Sequence, residues 1–142
     1  MRERRSALRD IADRFGVDIV YVFGSMSREV LDWVEDPERD LKRGRSDIDI
    51  GVLLPAAGGG WPVSEKVRFA QILEDFFGVE RVDLVLLNEA DPFVAAEIIR
   101  GERLFERDRR AADEYELYVL RRAGDLAPIE RERLRLILEG PR

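Results

Sequence analysis

Apolar and polar residues alternate along this chain with two periods, and the switches between them mark its elements. From Ser6 to Phe15 the apolar residues Leu8, Ile11, Ala12 and Phe15 share one helical stripe, which Gly16 ends. Asp18 to Phe23 is β-branched and aromatic and stops at Gly24-Ser25, so it reads as a buried strand entering a tight turn. A short helix is expected from Met26 to Trp33. Between Glu35 and Arg45 the pattern disappears into mixed charges with Pro37 and Gly44, which predicts an exposed excursion that packs no core. Ser46 to Leu54 alternates and then becomes fully apolar, as in a strand running from a sheet's rim into its interior, and Pro55 closes it.

The helical period returns from Val63 to Phe77 and ends at Gly78. Arg81 to Leu87 is read as a third strand, and Pro92 to Arg100 as a helix with proline suited to its first turn. Leu104-Phe105 reads as a short extended piece. Two helices follow, roughly Arg109 to Ala123 and Pro128 to Glu139. This order predicts an α/β (α+β) fold, a small mixed sheet of about three strands covered by helices on one face and partly open on the other. The length of 142 residues fits one domain over 1–142, with a core over about 18–108 and a helical extension over about 109–142.

Composition narrows the chemistry. There is no histidine and no cysteine, so a Ser-His-Asp triad, a thiol nucleophile and a zinc site of imidazole or thiolate are excluded within the chain. Reaction chemistry is left to carboxylates, hydroxyls, arginine, lysine or a hard metal ion. The 24 basic and 30 acidic residues give a formal charge of −6, which offers no excess positive charge for a long nucleic acid. The cluster Arg2, Arg4, Arg5 and Arg9 is interrupted by Glu3 and Asp10 and reads as a solvated helix face. No apolar stretch follows the basic start, and the longest uncharged run, Ile50 to Ser64, is too short and too broken for a bilayer span. A cytoplasmic location without membrane contact is expected.

Three acids stand inside otherwise apolar strands. Asp47 and Asp49 are two apart and project from the same face, while Ile48, Ile50 and Val52 point into the core. Asp83 occupies a matching context in Val82-Asp83-Leu84-Val85, and it joins the pair if the two strands are neighbours. Converging carboxylates repel one another unless a cation neutralises them, and an all-oxygen set suits Mg²⁺ with substrate phosphates completing its shell. Gly24-Ser25, between a strand and a helix start, is a candidate anion cradle. Gly58-Gly59-Gly60 lacks the Lys-Ser/Thr of a phosphate loop and reads as a flexible connection.

With Val22-Phe23-Gly24-Ser25, Ser46-Asp47-Ile48-Asp49-Ile50-Gly51-Val52, Val82-Asp83-Leu84-Val85 and the later Ile98 to Asp108 segment, the chain resembles the polymerase-β-like nucleotidyltransferases. The resemblance is strongest to the minimal nucleotidyltransferases encoded beside HEPN-domain partners. It implies that Gly24 and Ser25 hold the phosphates of ATP, that Asp47 and Asp49 bind Mg²⁺, and that Asp83 completes the metal site and helps deprotonate the attacking hydroxyl. The implied reaction is in-line displacement at the α-phosphorus of ATP with pyrophosphate leaving. In such relatives AMP passes to a tyrosine of a HEPN ribonuclease toxin, the transferase acting as antitoxin in a hetero-oligomer.

Where the family usually spaces the Gly-Ser and the first aspartate by about ten residues, 21 residues, Met26 to Ser46, intervene here. If the excess is a surface insertion the site survives; if it displaces the Gly-Ser turn, nucleotide binding is lost. Arg28 stands where it reaches either a triphosphate or an exposed ion-pair partner. Two further readings remain. An antitoxin acting by binding alone would use the apolar residues Tyr115, Leu117, Tyr118, Leu120, Leu134, Leu136, Ile137 and Leu138, while a small-molecule adenylyltransferase would need no protein partner.

Overall fold

The computed structural model describes residues 3–41, 47–56 and 59–139. Its elements run α1 (Arg4–Phe15), β1 (Ile19–Phe23), α2 (Ser27–Glu35), β2 (Ile48–Leu53), α3 (Val63–Phe77), β3 (Val82–Leu86), α4 (Pro92–Ile99), β4 (Glu102–Glu106) and α5 (Arg109–Glu139). The strands form one mixed sheet in the order β3-β2-β1-β4. The central hairpin β1–β2 is antiparallel, β4 pairs antiparallel to the other side of β1, and β3 lies parallel to β2 after the α3 crossover.

Strand alternation divides the core in two. Val20, Val22, Ile48, Ile50 and Val52 face α1, α2 and α3, where Leu8, Ala12, Val30, Trp33, Phe69, Leu73 and Phe77 meet them. Ile19, Tyr21 and Leu87 face the opposite way onto Ala95, Ala96 and Ile98 of α4 and Ala112 and Val119 of α5. Helices therefore cover both faces, which corrects the expectation of a partly open second face. The close fit of α4 depends on Gly51, because a Cβ there would come within 2.6 Å of Ile98 Cγ2.

Two more expectations change. The extended piece around Leu104-Phe105 is a full fourth strand, and both residues belong to the same core cluster because the β1–β4 register shifts between Val20 and Tyr21. The two C-terminal helices are one helix, α5, with Pro128 inside it. Tyr21 ties that helix to the sheet: its hydroxyl donates to Glu116 Oε2 at 2.7 Å, and Arg103 Nη2 reaches the same oxygen at 2.6 Å. Desolvation and the Glu116 carboxylate raise the Tyr21 pKa, so the phenol stays a donor.

The charged excursion is anchored at its start. The Arg4 guanidinium lies 4.0 Å from the centre of the Trp33 ring and donates to the carbonyls of Trp33, Asp36 and Arg39 at 2.7 to 2.8 Å. Arg39 bonds back to Asp32, and Leu41 packs against the core edge, contrary to the expectation that nothing in the segment would pack. The remainder of that excursion, residues 42–46 with Ser46 of the motif, lies outside the described residues, as do Arg2 of the basic cluster and Gly58 of the glycine run. Among the described residues no helix is long and apolar enough to cross a membrane.

Candidate active site

The site forms where β1 ends and β2 and β3 begin. Asp49 pairs across the hairpin with Phe23 and across the parallel ladder with Asp83, so the turn after β1 and both acids meet at one end of the sheet. Asp47 immediately precedes β2. The two-residue strand period puts Asp47, Asp49 and Asp83 on the α4 face, while Ile48, Ile50 and Val82 are buried on the other. The parallel pairing decides the matter: a shift of one residue would send Asp83 to the opposite side.

Asp49 is the most constrained of the three. Burial, then the Asp83 and Asp47 charges and a hydrogen bond shared with Asp83, raise its carboxyl above the ordinary value of 3.8. Asp47 and Asp83 are more open, with side chains 46% and 39% exposed. Between them lies Arg81, whose Nε donates to Asp83 Oδ1 at 2.9 Å and stands 3.7 Å from Asp47 Oδ2. Arg81 had no assigned role in the sequence reading, although its place two residues before Asp83 in a strand puts it on the same face.

The Gly-Ser turn completes the arrangement. Gly24 has φ +81°, and a Cβ added to it would lie 2.7 Å from Asp49 Oδ2. Only glycine leaves room here for backbone and carboxylate to approach so closely. Ser27 N–H donates to the Gly24 carbonyl at 3.2 Å, closing the turn, and α2 starts directly afterwards with Met26 at its N-cap and no side-chain cap. Gly24 and Ser25 are both exposed. The result is a helix N-terminus without a side-chain cap beside a group of carboxylates, an arrangement that suits a phosphate chain carried with a cation. The longer spacing between Ser25 and Asp47 therefore leaves the Gly24 turn against Asp49.

Arg28 makes exposed ion pairs, 3.6 Å to Asp32 and 3.8 Å to Glu102. Among the described residues no three acidic side chains stand as a preformed metal cage. The donor set nonetheless fits a hard cation: three carboxylates on one face, all oxygen, with exposed sides available to substrate oxygens and water.

Comparison with known proteins places the family and the fold. The family model described as polymerase beta, nucleotidyltransferase matches residues 7–110. A solved chain described as a minimal nucleotidyltransferase is 28% identical, with a TM-score of 0.50 over 69% of this chain and 85% of that one. A chain from a toxin-antitoxin complex with AMP-PNP superposes with a TM-score of 0.67 at 19% identity, covering 95% of this chain and 96% of that one. A chain from a complex of tri-AMPylated Shewanella oneidensis HEPN toxin with its MNT antitoxin gives 0.63 at 17% identity, covering 96% and 94%. A search of curated proteins finds no match.

Proposed function

Since the chain belongs to the polymerase beta nucleotidyltransferase family, we propose that it transfers AMP from ATP to a hydroxyl on a protein partner, a tyrosine of a HEPN toxin, and thereby acts as an antitoxin. The observation that carries this reading is the meeting of Gly24, Asp49 and Asp83 at one end of the sheet, with Asp47 beside them. The toxin-antitoxin complexes of like fold, one with an AMPylated toxin and one with an ATP analogue, support the choice of donor and partner.

In this mechanism Asp47, Asp49 and Asp83 would hold Mg²⁺, which would neutralise the carboxylates and the charge developing on the phosphates. The Gly24 turn and the positive end of α2 receive the phosphate oxygens, and Ser25 adds a hydroxyl donor. Asp83, partly exposed, accepts the proton of the incoming hydroxyl. The acceptor oxygen forms a bond to the α-phosphorus as the bond to pyrophosphate breaks. Residues 1–142 act as one domain, the catalytic part lying within about 18–108 and the helical extension serving the partner.

The test combines purified protein, labelled ATP, Mg²⁺ and the protein encoded next to it. Label is expected on the neighbour with the wild type and lost by more than about 100-fold with Asp47→Ala. No label with either protein, while the toxin is still neutralised, favours binding without catalysis. That second reading has its own support in the exposed apolar residues of α5, Leu117, Tyr118, Leu120, Leu134, Leu136, Ile137 and Leu138. Transfer to a small hydroxyl compound without any protein partner would replace both.

A further inference from the structure

Four side chains stand in a two-by-two array at the mouth of the parallel β2–β3 pair. Ile48 is opposite Val82 and Asp49 opposite Asp83, so one step before this register Asp47 lies opposite Arg81, and alternation puts all four on one face. Ile48 N–H donates to the Arg81 carbonyl at 3.4 Å, which fixes the arginine backbone at this edge. The array holds three carboxylates and one guanidinium, and both ion pairs of Arg81 among the described residues go to Asp47 and Asp83. The remaining acid, Asp49, lies opposite Asp83 in the ladder.

We propose that Arg81 is a positioning residue that serves as a built-in counter-ion: it draws Asp83 and Asp47 together while no metal is bound, and it must surrender Asp83 Oδ1 when a divalent cation arrives. The inference rests on the proposed magnesium-binding role of these aspartates. A carboxylate oxygen that accepts from Arg81 Nε has that lone pair engaged, and a positive charge held a few ångström away opposes an incoming dication until it moves aside. Metal binding is then an exchange of one cation for another. The Arg81 side chain is 67% exposed, so its guanidinium has room to turn toward solvent. The arrangement lets the free protein keep its acids assembled at a cost in metal affinity, so that the phosphates of the nucleotide, which bring further oxygen ligands, tip the exchange toward the loaded state.

The experiment titrates Mn²⁺ as a probe into the nucleotide-free wild type, Arg81→Gln, Arg81→Lys and Asp83→Asn, read by calorimetry and by the electron paramagnetic resonance of free Mn²⁺. Arg81→Gln is expected to bind Mn²⁺ about 3- to 10-fold more tightly at low salt, an advantage that shrinks as salt screens the guanidinium. Arg81→Lys is expected to lie near the wild type. Without metal, Arg81→Gln should melt below the wild type, and saturating Mn²⁺ should close or reverse that gap. Equal or weaker Mn²⁺ binding by Arg81→Gln, with binding still dependent on Asp83, overturns the counter-ion role and leaves the transferase reading standing. Binding that Asp83→Asn does not weaken, or no binding by any of the four proteins, overturns both.

Discussion

Asp49 is held where burial and two neighbouring carboxylates oppose its ionisation, so its pKa in the metal-free fold lies above its unfolded value near 3.8. An acid raised by folding contributes stability that is fully present below the unfolded pKa and is lost as pH rises through the folded pKa. At neutral pH an ionised Asp49 with no cation beside it therefore costs stability. Asp49→Asn is expected to melt higher than the wild type at pH 7 without metal, with the difference fading toward pH 4, as scanning calorimetry across this range will read. The same substitution should lower AMP transfer by more than about 100-fold. Gly24→Ala combines a left-handed backbone with a Cβ against Asp49 Oδ2, which predicts a loss of about 1–3 kcal/mol in denaturant unfolding and loss of ATP binding in a fluorescence titration. Sequence reasoning named Gly24, Ser25, Asp47, Asp49 and Asp83 because glycine before a helix and acids inside apolar strands are local anomalies. Arg81 escaped it because an arginine at the start of a strand is unremarkable until the strand across from it is known.

At the scale of elements, the strong periodicities gave α3 at its observed bounds and placed β1, β2, β3 and α4 within a residue or two. β4 was reduced to a fragment for a physical reason. Its charged flanks, Glu102-Arg103 and Glu106, hide it, and the register shift lets Leu104 and Phe105 join one core cluster, which erases the alternation that marks a strand. α5 was divided because proline removes a backbone donor and normally breaks a helix, yet at Pro128 both sides of the helix continue. The weak stretch begins at Gly124, where a Cβ would meet nothing within 4 Å. Gly124→Ala should accordingly raise the exchange free energy of the amides around it by about 0.5–1 kcal/mol in hydrogen-exchange measurements.

For the whole molecule, α5 is a rod of 31 residues of which only Ala112 and Val119 are buried, while Ile129, Leu134, Leu136, Ile137 and Leu138 are 44 to 82% exposed. Its last part adds little to the core. Ending the chain after Ala127 should leave the melting temperature within about 3 °C, and should weaken capture of a HEPN partner in size-exclusion chromatography if that surface is where the partner docks. The sequence alone determined which residues are strand and which helix over most of the chain, which acids stand inside strands, and which chemistries the absent histidine and cysteine remove, because these follow from local period and residue type. Only the tertiary structure decided that β3 lies parallel beside β2 in the register that sets Asp83 against Asp49, that Gly24 closes on the same carboxylate despite the longer intervening segment, that Arg81 stands between two of the acids, and that α4 and α5 cover the second face. Those are relations between segments far apart in the chain, set by strand pairing and by which faces can be buried together, and no local pattern carries them.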